Sequence, residues 1–290
     1  MTGDPLIELQ NVHYTYPAHA GRHGARGPVA ALRDVSLIVR RGEHVALLGH
    51  NGSGKSTLAR HCNALLAPDA GRVLVAGRDT RDPAARAAIR ERVGMIFQEP
   101  DNQIIATLVE DDVAWSLAAR GMPLDLIRER VAWAMEVAGI ADLRGRPPHR
   151  LSGGQRQRLA IASVLALRPD AIVSDESTAM LDPLTRESIV ALLHRLSREL
   201  GIAVLHVTHL AEEAALADRV VAMERGQVAL DGPPAQVFAE PARLRELALD
   251  IPAPIDLAAR LRESGMPLDP AALTVEAIAR EIALRTMKEE

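Results

Sequence analysis

One nine-residue segment, GHNGSGKST at residues 49–57, constrains the fold more than any other part of this 290-residue chain. It follows the apolar run VALL and precedes STLARHCNALL, whose pattern predicts a helix. The segment matches G-x-x-x-x-G-K-[ST], in which glycines let consecutive backbone N–H groups converge on phosphate oxygens and the helix start adds a favourable dipole. We therefore predict a strand, a phosphate-binding loop and a helix in that order.

The lysine of this segment is informative because the chain uses arginine almost everywhere else. Of its 34 Lys and Arg residues only Lys55 and Lys288 are lysines, which indicates that position 55 needs a compact ammonium rather than a guanidinium. We expect Lys55 to bridge the β- and γ-phosphates of a nucleotide and the Ser56 hydroxyl to hold Mg²⁺. The predicted nucleotide-binding residues are Gly49, His50, Asn51, Gly52, Ser53, Gly54, Lys55, Ser56 and Thr57.

Two acids follow another apolar run, AIVSDE. Neighbouring side chains of a strand point to opposite sides, so Asp175 and Glu176 can take separate tasks at its carboxyl end. We predict that Asp175 holds Mg²⁺ through water and that Glu176 polarises an attacking water.

A second candidate phosphate cradle is LSGGQRQR, residues 151–158. Ser152 is placed to cap the helix that follows, and Gly153 and Gly154 allow close approach of the backbone. Because the first loop already cradles the phosphates, this one requires a second molecule or a second site.

Strands alternate with helices along residues 5–240, which predicts an α/β fold with a mainly parallel sheet and antiparallel portions near its ends. Residues 107–150 contain no strand pattern and predict a helical subdomain, spanning about 100–165. Residues 17–31, rich in Gly, His and Arg, are expected to form a mobile surface loop. Two short amphipathic helices after residue 240 predict a small C-terminal domain, 241–290.

Composition narrows the function classes. A net charge of −4 lacks the basic excess typical of nucleic-acid binding, so no nucleic-acid partner is expected. The single cysteine, Cys62, fits a reducing compartment and is expected to be a packing residue. The sequence shows neither a membrane-spanning run nor a signal segment, so we expect a cytoplasmic chain that reaches membranes through partners.

The P-loop, LSGGQ, DE followed by LDP, and VTHL, in this order, resemble the ATP-binding subunit of an ABC transporter. The resemblance covers about residues 5–240 and implies a P-loop ABC cassette that hydrolyses ATP with Mg²⁺. It also implies a head-to-tail dimer, in which the signature residues of one subunit close over ATP held by the P-loop of the other. Those signature residues are Ser152, Gly153, Gly154 and Gln155.

Further roles follow from the same resemblance. Tyr16 would stack on adenine, although a slip in register would give that role to Tyr14. Gln98 would touch Mg²⁺ and the attacking water, and His209 would contact the γ-phosphate. Asp182 would lie at the dimer interface.

A narrower resemblance rests on FQEPDNQ at residues 97–103, on STAMLDP, and more loosely on LTVEAIAREI in the tail. Many ABC ATPases carry Pro and Gly where this chain has Ser177 and Met180. These segments resemble the ATPases of energy-coupling factor (ECF) transporters, which take up vitamins or transition-metal ions. That resemblance implies a second ATPase subunit, identical or paralogous, a membrane coupling protein and a small membrane substrate-binding protein, with the chain peripheral on the cytoplasmic face. The tail would stabilise the dimer.

Two alternatives stay open at this point. An ABC importer served by an extracellular binding protein shares every catalytic residue. A soluble ABC ATPase acting on DNA or translation usually has two cassettes or a coiled-coil insertion, and this chain has neither. Specificity for the transported substrate belongs to another chain, so this sequence does not identify the substrate.

Overall fold

The structure is a computed structural model that describes residues 4–17, 19–21, 24–239, 241–266, 268–269 and 274–289. Its strands are β1 (Pro5–Tyr16), β2 (His19–Gly21), β3 (Gly24–Arg26), β4 (Val29–Arg40), β5 (His44–Leu48), β6 (Ala70–Val75), β7 (Arg78–Asp79), β8 (Val93–Ile96), β9 (Ala171–Asp175), β10 (Ala203–Thr208), β11 (Arg219–Glu224) and β12 (Gln227–Gly232). Its helices are α1 (Lys55–Cys62), α2 (Arg86–Arg92), α3 (Val109–Ala118), α4 (Leu124–Ala138), α5 (Gly153–Leu165), α6 (Pro183–Leu200), α7 (Ala211–Ala214), α8 (Pro234–Val237), α9 (Pro241–Glu246), α10 (Ala253–Glu263) and α11 (Val275–Glu289).

A six-stranded sheet in the order β12-β11-β5-β10-β9-β8 forms the centre of the nucleotide-binding part. All of its pairs are parallel except β11 with β12. Every residue of β5, β9 and β10 is buried, as expected when layers cover both faces of a parallel sheet. The pairing aligns Leu48 with Thr208 and Asp175 with Val207, so the loops after β5, β9 and β10 leave one edge of the sheet together.

A second sheet, β4-β1-β6-β7, is antiparallel and packs on the first through a shared apolar core. The predicted α/β fold with its antiparallel portion is therefore confirmed. The expectation of a surface loop over residues 17–31 is wrong in its extent. β4 begins at Val29 because its alternating residues pair with β1 as far as Tyr16, and β2 and β3 form a short hairpin before it. Residues 18, 22 and 23 of that loop lie outside the described residues.

The helical subdomain has its own core, made of apolar residues of α3, α4 and α5 that continue onto β8, β9 and α6. This placement sets α5, which carries the LSGGQ segment at its start, against the sheet edge where β8 lies. Among the residues described, we find no helix with both the length and the apolar character that a bilayer-crossing segment requires.

The chain after β12 contributes to two separate apolar clusters. Leu244, Leu247 and Ile255 join an apolar cluster with Ala46 and Leu48 of β5. Beyond them a small separate cluster forms around Ala258, Leu268 and Ile278, which join α10 to α11.

Candidate functional site

The phosphate-binding loop fills the space between β5 and α1, where the sequence placed it. Gly52 and Gly54 have φ angles of +83° and +105°, in the left-handed region that favours glycine. A Cβ on Gly54 would lie 2.6 Å from the Ala31 carbonyl oxygen, and one on Gly49 would lie 2.7 Å from the Met223 carbonyl oxygen. The glycines are therefore required both by conformation and by close packing against β4 and β11.

Lys55 is held inside this loop. Its side chain is 3% exposed, and Nζ donates hydrogen bonds to the carbonyl oxygens of Gly49 at 2.7 Å and His50 at 3.1 Å. The Glu176 carboxylate lies 3.5 Å from Nζ. Burial lowers the pKa of Lys55, an effect that the Glu176 charge opposes. The loop thus presents a compact cation at its centre.

Ser56 and Asp175, the two residues expected to hold Mg²⁺, are in contact. The Ser56 hydroxyl donates a 2.7 Å hydrogen bond to Asp175 Oδ1, and burial raises the pKa of the Asp175 carboxyl. Burial disfavours the ionised form of a carboxyl group, and a nearby cation stabilises that form. Hydroxyl, carboxylate and amide oxygens are ligands that Mg²⁺ prefers. The residues present therefore fit a nucleotide-bound Mg²⁺ ion.

A cavity of about 460 Å³ opens beside the loop. It brings Tyr16 together with residues of three sequence motifs, the P-loop, FQEPDNQ and AIVSDE, and is lined by Tyr16, Val29, Ala30, Ala31, Asn51, Gly52, Gly54, Lys55, Ser56, Thr57, Gln98 and Glu176. The start of β4, at residues 29–31, lines this cavity and was not predicted. The alternation of apolar residues in VAALRDVSLIV was the signal that could have identified it.

Of the two tyrosines considered for adenine stacking, Tyr16 lines the cavity. Its hydroxyl lies 3.3 Å from Thr57 Oγ1. Tyr14 packs edge-on against the Tyr16 ring, with centroids 5.0 Å apart, and contacts His61 on its other side. The placement of Tyr14 is that of a support for Tyr16.

Glu176 stands on a strained backbone. Its φ is +50°, in the left-handed region that L-residues other than Asn and Asp seldom adopt, and its N–H donates to the Val207 carbonyl oxygen at 3.1 Å. The carboxylate is aimed into the cavity toward Lys55. Glu176 thus faces the phosphate-binding loop, whereas Asp175 contacts the first turn of α1.

Several predicted residues lie outside this cavity. Ser152 is exposed at the start of α5, where it forms a capping box with Gln155, and Gly153 and Gly154 continue the same turn. Asp182 is exposed and caps α6 by accepting a hydrogen bond from the Thr185 N–H at 3.1 Å. His209 follows β10 directly and is exposed. None of these residues lines the cavity beside the P-loop.

Packing against α6 requires glycine at position 154 of LSGGQ, a requirement that the sequence analysis did not identify. A Cβ on Gly154 would lie 2.3 Å from Thr185 Cγ2, so only glycine lets the start of α5 approach the first turn of α6. The segment that holds the signature residues and the one capped by Asp182 are therefore in direct contact.

Side chains of the polar connector at residues 97–103 hold it against neighbouring elements. Gln103 accepts a hydrogen bond from the Phe97 N–H at 2.8 Å and donates to the Met95 carbonyl at 3.0 Å, which satisfies the end of β8. Asp101 lies 3.0 Å from Arg156 Nε, at the first turns of α5. The connector therefore links Gln98, in the cavity, to the helix that carries the signature residues.

Together, the loop after β5 and the acids after β9 can bind a nucleoside triphosphate with Mg²⁺ and place a carboxylate beside it, which defines the molecule as a P-loop ATPase. Residues 32–179 match the family model described as ABC transporter. The energy-coupling factor transporter ATP-binding protein EcfA1 of Symbiobacterium thermophilum is 52% identical over 96% of this chain and 97% of its own length. The protein of that name from Bacillus subtilis is 41% identical, over 97% of this chain and 98% of its own.

Solved structures agree with these relatives. CbiO1 of Clostridium perfringens, described as part of the ABC transporter complex cbiONQ, is 36% identical with a TM-score of 0.74, over 88% of this chain and 99% of its own. A dimeric ATP-binding cassette in a post-hydrolysis state with ADP and phosphate is 31% identical with a TM-score of 0.69, over 79% of this chain and 99% of its own.

The chain belongs to the ABC transporter family, among the ATP-binding proteins of energy-coupling factor transporters. The predicted family, the ATPase activity and the use of ATP and Mg²⁺ are thereby confirmed.

Proposed function

We propose that this chain powers uptake of a micronutrient, a vitamin or a transition-metal ion, by closing and reopening as half of an ATPase dimer. One observation carries the proposal. The P-loop, Tyr16, Gln98 and Glu176 share one cavity, while the signature residues at the start of α5 lie outside it, Ser152 exposed and the others half-buried. A capped helix start that begins with an exposed serine and two glycines suits contact with phosphate held by a second subunit, identical or paralogous.

Within one site, each residue has a role that its position supports. Lys55 neutralises phosphate charge from inside the loop, and Tyr16 offers a ring face to the adenine base. Ser56, Asp175 and Gln98 are placed to hold Mg²⁺, which when bound neutralises charge on the phosphates. Glu176 orients the attacking water, and His209 reaches the γ-phosphate as the dimer closes.

The membrane coupling protein would dock on the helical subdomain. A groove of about 270 Å³ lies between β8 and the helices α3 and α5, and exposed apolar side chains of Leu65, Ile105 and Trp115 border it. Gln103 and Asp112 line the same groove. Gln103 ties the connector that leads to Gln98 to the Met95 carbonyl, and Asp112 accepts a hydrogen bond from the Ile105 N–H just beyond the connector. An apolar groove of this kind suits the apolar face of a partner helix.

Three further features belong to the same proposal. Residues 241–290 form a small C-terminal domain that stabilises the dimer, after a nucleotide-binding domain spanning 1–240. The chain lies on the cytoplasmic face of the membrane, where ATP is available. A membrane substrate-binding protein supplies the transported micronutrient, and its identity sets the specificity.

Capture and transport with substituted chains test the proposal. Trp115→Asp should abolish co-purification with the membrane coupling protein and ATP-dependent uptake, measured with a panel of labelled vitamins and transition-metal ions. Nucleotide binding by the isolated chain should stay unchanged. Leu124→Asp is the matched control, since Leu124 is as exposed as Trp115 and lies outside the groove. Full capture of the Trp115→Asp chain would refute docking at this groove.

A further inference from the structure

The carboxylate of Glu213 is buried between two segments of the site. Glu213 belongs to α7, is 4% exposed, and its Oε2 atom accepts three hydrogen bonds. The donors are Thr208 Oγ1 at 2.6 Å, His206 Nε2 at 2.8 Å and Thr178 Oγ1 at 3.1 Å. Thr208 directly precedes His209, and Thr178 follows Glu176 by two residues. One oxygen atom therefore fastens the segment after β9 to the end of β10.

These bonds are part of a closed ring. From Glu213 the ring runs through His206, whose Nδ1 atom lies 3.4 Å from Ser174 Oγ, to the Ser174–Ser177 hydroxyl pair at 2.6 Å. Thr178, the neighbour of Ser177, returns to Glu213. His206 Nε2 donates to the carboxylate, and the Nδ1 contact and the two serine hydroxyls continue the ring from there to Ser177. Serine at position 177 thus supplies a hydroxyl that the proline of many ABC ATPases lacks.

The ring encloses the part of the backbone that carries strain. Glu176 lies between Ser174 and Ser177 with its φ of +50°, a strained conformation that persists only where its surroundings enforce it. Ser174, Ser177 and Thr178 are each at most 2% exposed, so water does not replace their hydrogen bonds. Loss of the ring would leave the Glu176 segment free to relax.

The carboxylate is ionised in this setting. Burial by itself raises the pKa of Glu213, but the hydrogen bonds and charge of His206, with the hydrogen bonds of Thr208 and Thr178, bring it below its usual value. The second oxygen, Oε1, has no hydrogen-bond partner in the described part of the chain and lies 3.8 Å from Arg186 Nε. The charge is therefore balanced mainly through Oε2 and the nearby guanidinium.

The structure assigns to Glu213 the role of a positioning residue for ATP hydrolysis, which holds the segment of Glu176 and the segment of His209 in one fixed arrangement. The inference rests on the proposed roles of those two residues. Glu213 acts through Thr178, Thr208 and His206 and does not line the nucleotide cavity.

The hydrogen-bond pattern predicts which substitutions preserve this role. In Glu213→Gln the amide oxygen can take the Oε2 position and keep all three accepted bonds, with the amide nitrogen in place of the unpaired Oε1. Glu213→Ala removes all three acceptor contacts and leaves two buried hydroxyls and a buried imidazole without this partner. Thr178→Val removes one bond at nearly constant volume.

The experiment measures kcat and KM for ATP in the assembled transporter, with kcat expressed per nucleotide-binding site and thermal unfolding recorded for each variant. We expect Glu213→Ala to lower kcat by roughly 10- to 100-fold, with KM within about threefold of the unsubstituted protein. Glu213→Gln should recover kcat to within about threefold, and Thr178→Val should lower it by about three- to tenfold. Glu212→Ala, on the exposed neighbour in α7, should leave kcat unchanged.

The double variant Glu213→Ala with Thr178→Val should be no slower than Glu213→Ala, because both remove one shared contact. A stability role alone would lower the unfolding temperature and the number of binding sites, and would leave kcat per site unchanged. That result, or a Glu213→Gln chain as slow as Glu213→Ala, would overturn the assignment. If Glu213→Ala does not fold, a Thr178→Val chain with unchanged kcat per site would overturn it as well.

Glu176→Gln and His209→Ala, measured in the same assay, separate the two proposals. If both abolish hydrolysis while the Glu213 variants do not change it, the proposed catalytic roles stand and the positioning role falls. If both leave hydrolysis intact, the catalytic roles themselves are wrong.

Discussion

Acidification should destabilise this protein through one buried imidazole, that of His44. His44 lies in β5 at the centre of the parallel sheet, is 0% exposed, and has no hydrogen-bond partner for either ring nitrogen within the described residues. Burial, joined by the charges of His206, His194 and Arg198, lowers its pKa from 6.5 to about 3.

The sign and size of the effect follow from this pKa. Below pH 6.5 the unfolded chain binds a proton at His44, whereas the native chain leaves it neutral until the pH approaches about 3. The stability that His44 contributes is therefore complete above 6.5 and is lost progressively as the pH falls. Between about pH 7.5 and about pH 5, linkage predicts a loss of about 2 kcal/mol from this group.

Chemical denaturation at the two pH values, followed by tryptophan fluorescence, measures the loss. Other groups also titrate in this range, so the informative quantity is the difference between the unsubstituted protein and His44→Leu, which should lose about 2 kcal/mol less on acidification. His149→Gln, at an exposed histidine, should keep the full dependence. Equal losses in the unsubstituted and His44→Leu proteins would show that His44 does not cause this pH dependence.

Three further outcomes are expected. Gly154→Ala should cost about 1–3 kcal/mol of stability and lower ATPase activity, because the new Cβ would meet the Thr185 methyl group. Thr185→Ser, added to Gly154→Ala, should restore much of the stability and activity. Failure of that rescue would show that the methyl group is not the obstacle. Lys55→Arg should weaken ATP binding by on the order of tenfold or more in equilibrium titrations, because the guanidinium does not fit among the loop carbonyls; unchanged affinity would contradict this. Cys62, fully buried with its pKa raised by burial to about 12, should react with thiol reagents at about pH 8 only after unfolding by urea, and rapid labelling of the native protein would contradict its placement.

The parts of the site that could be predicted are those in which local sequence determines local geometry. The P-loop followed from its own glycines and from the apolar run before it, and the placement of Asp175 at a strand end followed from AIVSDE. Each of these segments forms its structure with neighbours in the chain, so its pattern is sufficient.

What could not be predicted depends on contacts between distant segments. The early start of β4 at Val29 requires pairing with β1, and the need for glycine at position 154 arises from a methyl group on α6. The Glu213 carboxylate gained its significance only when three hydroxyl and imidazole donors from different segments were seen to converge on it. No periodicity within residues 211–214 carries that information.

The connector at residues 97–103 illustrates both situations. Its polar composition, placed between a strand and a helix, indicated a functional segment, and Gln98 does line the nucleotide cavity. The return of Gln103 to the end of β8 and the ion pair of Asp101 with Arg156 depend on the folded chain. These contacts explain its length, since a shorter turn would not reach both β8 and α5.

The decisive measurement for the proposed catalytic role of Glu176 is ATP hydrolysis by the assembled transporter that carries Glu176→Gln. We expect the variant to bind ATP with an affinity within about threefold of the unsubstituted protein, while hydrolysis falls by about 100-fold or more and uptake stops. Hydrolysis that continues near the unsubstituted rate, with ATP binding intact, would contradict the assignment of Glu176 as the residue that activates water.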